Sequence, residues 1–352
     1  MPALSLSITD TALTPPGTYG NTHGAFLEAV RSPWYRLVTD LHDTILTATV
    51  EYAGSRGLKA LYLPLTTRTI TCPSGLGSDT NPVPVTVNGV DTYLPDSMQF
   101  LLEYGCQLTA RGGYTIMPSF RREVPDPTHL GQFTHSEAEI PGGLEDLVDY
   151  VEGYVKALAA AILDRHGGRL AAGRGDVSHL ERMVGHERFA RVTFDEAVRV
   201  LRNDPRYVVT GDAGRNLTRA GELELMRRVG EFTWVTHFDH LVVPFYQAFE
   251  DDRHRSARNA DLLFGIGEVV GSGERHATGE QVRKALAMHD VPENEYSWYV
   301  QMKYEKPLRT AGFGMGVERF LLWVLKHGDI RDIPLVSRVD EPAKWPASID
   351  RP

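Results

Sequence analysis

The stretch FRREVPDPTHLGQFTHSEAE occupies residues 120–139 and carries the pattern on which the fold assignment depends. A Pro-Asp-Pro turn at 125–127 separates two runs of strand-forming residues. A strand–turn–strand unit of this kind brings Arg121, Glu123 and Phe133 close together on one face. The stretch therefore predicts a hairpin with a small group of functional side chains near its open end.

These three side chains suit a nucleotide. The Arg121 guanidinium offers a planar fork to phosphate oxygens. The Glu123 carboxylate can accept from an exocyclic amine, and the Phe133 ring can stack on a base. Each residue alone is more typical of a surface salt bridge or a core aromatic, so the interpretation depends on further motifs.

A glycine-rich run, GFGMGVER, occupies residues 312–319. Glycines permit close backbone approach, and Arg319 at the start of the following helix can meet a phosphate chain. The alternative interpretation is a tight joint between a strand and a helix.

Two carboxylates, Asp261 and Glu268, are separated by a Phe-Gly-Ile-Gly turn that can bring them together. Carboxylate and phosphate oxygens are the ligands that Mg²⁺ prefers. Arg275 lies seven positions after Glu268 and can bind a carboxylate through two contacts. The alternative is a pair of solvated acids at a hairpin.

The predicted elements favour an α+β fold with a largely antiparallel sheet flanked by helices. The G-x-G-x-x-G dinucleotide motif is absent, which argues against a doubly wound fold. The expected strands are 60–64 (buried), a hairpin over 85–94 turning at Asn88-Gly89, 114–120, 133–140, 232–236, 241–245, 259–264, 267–270 and 312–317. The expected helices are 26–56, 95–103, one from about 144 that stops at Gly167-Gly168, a mostly helical region over 168–230 away from the sheet, and 318–326.

The motifs, in their order along the chain, resemble those of class II aminoacyl-tRNA synthetases. The Phe-Arg-x-Glu group looks like motif 2, the 312–319 run looks like motif 3, and the strand ending at Pro64 resembles motif 1, which builds the dimer interface in that class. The segments 265–275, 132–139 and 97–99 are similar to the aspartyl/asparaginyl branch. The resemblance runs from about residue 25 to Arg338.

That resemblance implies ATP and Mg²⁺ as cofactors and a role for each matching residue. It implies Arg121 on the α-phosphate, Phe133 and Glu123 on adenine, Arg319 on the γ-phosphate, Asp261 and Glu268 on Mg²⁺, Arg275 on a substrate carboxylate, and Ser97 and Gln99 on the amino acid.

Three departures from the branch affect the expected function. The anticodon-binding barrel that precedes the core in the branch is not seen before residue 25. The motif 2 loop is shortened, and its usual Arg-His pair is Thr128-His129, so His129 has to hold the γ-phosphate alone. Leu102 stands where aspartyl members have the lysine that recognises the side-chain carboxylate, and so follows the asparaginyl pattern. Together they make tRNA an unexpected partner.

This combination resembles the tRNA-independent asparagine synthetases of the branch. The expected reaction is activation of an aspartate-like carboxylate as an acyl-adenylate, followed by amide formation with ammonia. Glu137, Glu139 or His135 could guide the amine or accept its proton. One alternative is a stand-alone synthetase paralogue that loads tRNA or another acceptor, and another is a non-catalytic regulatory paralogue.

Composition is that of a globular protein with a net charge of −9, which argues against broad nucleic-acid affinity. No apolar run is long enough to span a membrane, and the two cysteines, Cys72 and Cys106, predict a reduced, cytoplasmic setting. The expected organisation is a loose lead-in at 1–24, one catalytic domain at 25–340 with a helical insertion at 168–230, and a tail at 341–352. Motif 1 predicts a homodimer.

Overall fold

The computed structural model describes residues 13–17, 25–72 and 81–336. Most of the expected lead-in and the whole 341–352 tail lie outside the described residues. The described helices are α1 (Ala25–Arg31), α2 (Pro33–Ser55), α3 (Gln99–Thr109), α4 (Leu144–Arg174), α5 (Ser178–Gly185), α6 (Phe194–Val200), α7 (Arg219–Val229), α8 (Gly279–Met288), α9 (Ser297–Glu305) and α10 (Val317–Val324). The described strands are β1 (Lys59–Ala60), β2 (Val83–Val87), β3 (Val90–Leu94), β4 (Gly113–Phe120), β5 (Gln132–Pro141), β6 (Ala190–Thr193), β7 (Val208–Gly211), β8 (Gly214–Leu217), β9 (Thr233–Thr236), β10 (Asn259–Phe264), β11 (Gly267–Glu274) and β12 (Thr310–Gly316).

An eight-stranded sheet organises the molecule, in the order β1-β4-β5-β12-β11-β10-β9-β6. Its six central strands are antiparallel, and only the two edge strands, β1 and β6, pair in parallel. Helix α4 packs against the middle of the sheet, and α2 packs against α4. The α+β prediction with an antiparallel sheet is confirmed. None of the described helices is long and apolar enough to cross a membrane.

The first helical segment is interrupted, so the prediction of one helix over 26–56 is wrong. Helix α1 ends at Arg31, and α2 begins at Pro33, whose ring has no N–H to donate. The Ser32 hydroxyl accepts from the backbone N–H of Trp34 at 3.2 Å and caps α2. Gly57, at φ +78°, follows the end of α2 as the sequence predicted.

Helix α4 continues through Gly167-Gly168 and ends at Arg174, so these glycines do not stop it. Glycine costs about 1 kcal/mol relative to alanine inside a helix, which tertiary packing can outweigh. Here Leu170 beyond the glycines is buried, and Leu13 packs against Gly173 in space that a side chain would fill.

The 168–230 segment is tied to the sheet, contrary to the prediction. Strand β6 pairs with β9 at the edge of the main sheet, and β7 and β8 form a separate hairpin before α7. These strands are four residues long, too short for their periodicity to be read from sequence.

Three further predictions are corrected by long-range packing. Strand β1 has two exposed residues in place of a buried strand over 60–64. The apolar run 241–245 forms a 3-10 turn, His240–Val242, and then buries Phe245 without joining the sheet. Helix α3 starts at Gln99, because the Asp96 carboxylate accepts two backbone N–H groups of the 71–72 segment and holds the preceding residues as a loop.

Candidate active site

Strand β5 presents four functional side chains along one face. Phe133, His135, Glu137 and Glu139 alternate with residues that point to the opposite face. Two residues along a strand advance about 6.6 Å, so the four side chains span about 20 Å. This length matches a groove for an extended ligand.

Strand β12 provides the glycines opposite this face. Gly312 pairs with Glu139, and Gly314 pairs with Glu137. A Cβ added at Gly312 would lie 2.0 Å from the Glu139 Oε1 atom, so only glycine leaves room for that carboxylate. From the sequence, the glycine-rich run was expected to let the backbone come close to a phosphate chain. In the structure it also leaves room for the acidic side chains of β5.

One end of the groove is a cavity of about 280 Å³. The Arg121 guanidinium carbon lies 5.3 Å from the centre of the Phe133 ring, and Arg121 Nε is buried with no hydrogen-bond partner in the part of the chain that the structure describes. An unpaired buried donor is suited to an anionic ligand. The predicted site residues that line this cavity are Arg121, Glu123, His129, Phe133, Glu268 and Arg319.

The Arg319 side chain lies against Glu268, which follows the turn between β10 and β11. Its Nη1 atom donates to the backbone oxygen of Glu268 at 3.0 Å and lies 4.0 Å from the Glu268 carboxylate. His129 closes the turn after β4, with Nδ1 3.1 Å from the Asp126 carboxylate. Arg319 and His129 thus enter the same cavity from different elements.

Asp261 and Glu268 are brought together by the β10–β11 pairing, as the sequence predicted. Burial, with the nearby carboxylates of Glu268 and Glu222, raises the pKa of Asp261 well above its usual value. Among the described residues no group of three or more His, Cys, Asp or Glu side chains has metal-holding geometry. Two close carboxylates nonetheless fit Mg²⁺, which takes few protein ligands and completes its shell with phosphate and water oxygens.

The sequence did not reveal Glu222 as a neighbour of this pair. The Glu222 carboxylate on α7 accepts from the backbone N–H of Glu268 at 3.1 Å. A Cβ at Gly267 would lie 2.2 Å from Glu222 Oε2. Glu222 is separated from Glu268 by 46 residues, and no local pattern links them.

The other end of the groove is a cavity of about 340 Å³ that includes Ser97, Gln99, Glu137 and Arg275. The Ser97 hydroxyl donates to Glu137, and the backbone N–H of Met98 donates to Glu137 Oε2 at 2.8 Å. Burial nevertheless raises the pKa of Glu137 to about 7. These residues surround a space for a small polar ligand.

Arg275 is already engaged within the protein. Its Nε and Nη2 atoms donate to Glu139 Oε1 at 2.9 and 2.6 Å, and Nη1 donates to the Gln247 side chain at 3.1 Å. Glu139 Oε2 is buried and has no hydrogen-bond partner among residues 13–17, 25–72 and 81–336. The predicted carboxylate-binding arginine thus shares this end of the cavity with a carboxylate that has one free oxygen.

A second buried ion pair lies beneath this end. The Lys303 ammonium is 2.5 Å from the Glu103 carboxylate, and the two side chains are 0% and 1% exposed. The Tyr299 hydroxyl donates to Glu103 at 2.8 Å, and the Thr310 hydroxyl donates to it at 3.3 Å. Sequence analysis identified neither Glu103 nor Lys303, because the partners are 200 positions apart.

The family model described as tRNA synthetases class II (D, K and N) matches residues 23–339. An asparagine–tRNA ligase of Bacillus cytotoxicus is 31% identical over 236 residues, covering 64% of this chain and 50% of that protein. An asparagine–tRNA ligase of Thermus thermophilus is 29% identical over 337 residues, covering 90% of this chain and 75% of that protein. The chain therefore spans about half the length of the first relative and three quarters of the second.

Solved structures agree in fold. The asparaginyl-tRNA synthetase from Pyrococcus horikoshii complexed with asparaginyl-adenylate superposes with a TM-score of 0.79 at 23% identity, covering 88% of this chain and 70% of that chain. The aspartyl tRNA synthetase from Entamoeba histolytica has a TM-score of 0.70 at 18% identity, covering 87% and 59%.

Proposed function

Because the chain belongs to the class II tRNA synthetases (D, K and N), with a catalytic core of the aspartyl/asparaginyl branch, we propose that it activates an asparagine-like amino acid with ATP and passes the acyl group to tRNA. The names of its relatives support tRNA as the acceptor over the ammonia that the sequence led us to expect. The buried pair Glu139–Arg275 carries the proposal for the amino acid.

An amide side chain complements that pair. Its N–H can donate to the free Glu139 Oε2, and its oxygen can accept from the Arg275 guanidinium beside it. Satisfying a buried, unpaired carboxylate oxygen favours binding, because leaving it unmatched costs about 1–3 kcal/mol.

The side-chain carboxylate of aspartate fits the Glu139–Arg275 pair less well than the side-chain amide of asparagine does. Three buried glutamates, at 103, 137 and 139, lie at this end of the groove, against only two buried cations, Arg275 and Lys303. An aspartate side chain would add another anion to a region that already has more acidic than basic groups. This charge balance supports asparagine over aspartate as the activated amino acid.

The groove is long enough to place the amino acid and ATP next to each other, which supports activation of the amino acid by ATP. A carboxylate placed between Glu137 and Arg121 would attack the α-phosphorus of ATP, giving the adenylate and pyrophosphate. Arg121 and Arg319 would stabilise the charge that develops on the phosphates. Mg²⁺ bound at Asp261 and Glu268 would neutralise phosphate charge and orient the leaving pyrophosphate.

Amide formation with ammonia remains the second candidate, on one observation. Four groups bond to the Asp126 carboxylate and tie the 126–129 turn closed: the Thr128 N–H and hydroxyl, the His129 N–H and the His129 ring. In the family this loop meets the acceptor end of tRNA, and a short, closed, acidic loop is a poor surface for RNA.

Two assays separate these candidates. Pyrophosphate exchange is measured with asparagine and with aspartate, and then AMP release is followed with total tRNA or with ammonia. Asparagine-dependent exchange with acylation of tRNA is expected. AMP release that requires ammonia and occurs without tRNA would favour the second candidate, and no exchange with either amino acid would refute both.

We expect Glu139→Gln to weaken discrimination between the two amino acids. A glutamine amide can donate to aspartate, so the preference for asparagine, measured as the ratio of kcat/KM in pyrophosphate exchange, should fall about 10-fold or more, the value of one hydrogen bond to a charged group. Glu51→Gln, at a carboxylate with 71% exposure, is the matched control. An unchanged ratio would contradict the assignment.

We also propose that residues 25–340 form one catalytic domain and that the 168–230 segment is an insertion forming part of the groove wall. Its hairpin and helix contribute Asn216, Leu217 and Glu222 to the larger cavity. Without these three residues that cavity would be open on one side.

A homodimer through the motif 1 region is part of the proposal. Apolar side chains at this edge of the sheet are exposed, including Tyr62, Leu65, Leu46 and Val50. Exposed apolar patches mark association surfaces. Light scattering is expected to give twice the 39.2 kDa chain mass, and Tyr62→Glu to lower it towards one chain. A monomeric wild-type protein would refute the dimer.

A further inference from the structure

We propose that His135 is the base that accepts the acceptor's proton when the acyl group leaves the adenylate. The inference rests on the proposed function, since it concerns the second step at the same site. It holds for any nucleophile that must lose a proton, whether an RNA hydroxyl or an amine.

The position of His135 along β5 is the first argument. It stands between Phe133, at the nucleotide end, and Glu137, at the amino-acid end, and it lines both cavities. An adenylate lying along this face places its acyl-phosphate linkage between those ends. His135 is the side chain of β5 nearest to that bond.

The hydrogen bonds of the ring are the second argument. His135 Nδ1 lies 2.9 Å from the Ser119 hydroxyl and 3.6 Å from Glu137 Oε1. The Ser119 hydroxyl can accept a hydrogen bond from Nδ1, and the Glu137 carboxylate, beyond hydrogen-bond distance, favours a proton on that nitrogen by its charge, so both favour the tautomer with the proton on Nδ1. Nε2 has no hydrogen-bond partner among the described residues, and it faces Gly314, where an added Cβ would stand 3.8 Å away. The free nitrogen therefore has a lone pair directed into the groove.

The charges around the ring are the third argument. Burial, with Arg121 at the end of β4 and Arg319 on α10, lowers the pKa of His135 to about 3, so the ring is neutral in the empty site. The acidic groups facing it are Glu137 on the same strand and Glu268 on β11. A phosphate bound between the two arginines would offset their charge and raise the basicity of Nε2. The part of the pKa lowering that comes from the two arginines would thus be offset once the adenylate is in place.

The step balances within these groups. The proton of the nucleophile's O–H or N–H group moves to Nε2 of His135. At the same time, a lone pair on the nucleophile's oxygen or nitrogen forms a bond to the acyl carbon. The carbon–oxygen bond to the phosphate then breaks, and AMP leaves with that electron pair. The imidazolium, held through Nδ1 by Ser119 and Glu137, returns the proton to solvent.

The test measures adenylate formation and acyl transfer separately in the His135→Gln variant. Glutamine keeps a polar side chain at this position but cannot take up a proton. His166→Gln, a partly exposed histidine on α4 bonded to Thr44, is the matched control. Adenylate formation is followed by pyrophosphate exchange, and transfer by mixing isolated enzyme-bound adenylate with hydroxylamine or tRNA. His135→Gln should keep exchange within about threefold of wild type and slow transfer about 10²–10⁴-fold, the usual contribution of a general base.

The pH profile excludes a purely structural role. Wild-type transfer should slow as pH falls and Nε2 becomes protonated, whereas His135→Gln should show no such limb. Transfer at the wild-type rate, equal loss of both half-reactions, or an unchanged profile in the variant would each overturn the proposal. If the wild-type protein catalyses no pyrophosphate exchange, the proposed function itself is refuted. That outcome is distinct from the outcomes that overturn only the role of His135.

Discussion

Arg121→Ala should lower asparagine-dependent pyrophosphate exchange by about 10²–10³-fold, the typical cost of removing one preorganised charge contact to a transition state. Arg121 stacks on Phe133 at the nucleotide end, and its buried Nε has no protein partner. The guanidinium is therefore held in place with a donor available for a phosphate oxygen. Removing it leaves the charge that develops on the α-phosphate without this partner.

The neighbouring Arg122 supplies the control. Its side chain is exposed, so Arg122→Ala should leave exchange within about twofold of wild type. Circular dichroism and thermal melting of both variants should match the wild type. If Arg121→Ala retains pyrophosphate exchange, the assignment of this cavity to the nucleotide is wrong. The roles proposed for Glu123 and Phe133 are then wrong as well.

Lys303→Met should lower the free energy of unfolding by about 3–5 kcal/mol, because it leaves the Glu103 carboxylate charged and buried without a cation. The remaining bonds to Glu103, from Gln99, Tyr299 and Thr310, come from neutral groups and cannot replace the ion pair. Urea unfolding measures the loss.

Two comparisons make this prediction specific. Lys326→Met removes an exposed ion pair with Asp176 and should cost no more than about 1 kcal/mol. The double variant Glu103→Leu with Lys303→Met removes both charges and should recover most of the stability. Equal unfolding midpoints for Lys303→Met and wild type would show that the pair does not support the base of the amino-acid cavity.

Local chemistry in the sequence predicted much of the fold. The Asn88-Gly89 turn, both with positive φ, sets the β2–β3 hairpin. The long apolar stripe predicted α4, and two runs of strand-forming residues on either side of a Pro-Asp-Pro turn predicted β4 and β5. Apart from the helix break at Pro33, which has a local cause, the errors fall where a partner distant in sequence decides the structure. The edge strand β6 exists because β9 pairs with it, and the 241–245 run is buried by aromatic packing with no neighbouring strand.

The candidate site divides in the same way. The sequence identified Arg121, Phe133, Asp261 and Glu268, because each belongs to a short motif whose strand or turn sets its direction. It did not identify Glu222, whose contact with Glu268 depends on α7 lying against the sheet. A close approach across 46 residues has no local pattern to reveal it.

By itself, the sequence determined which chemical groups the candidate site contains: Arg121 and Phe133 on a strand pair, Asp261 and Glu268 on either side of a turn, and a glycine-rich run at 312–316. Only the tertiary structure decided how those groups are used. The β5–β12 register sets Glu139 opposite Gly312, which has no side chain to displace it, and Arg275 spans the gap to bind Glu139. The arginine that the sequence offered to a substrate carboxylate is thereby paired with Glu139, because buried charges must find partners inside the fold.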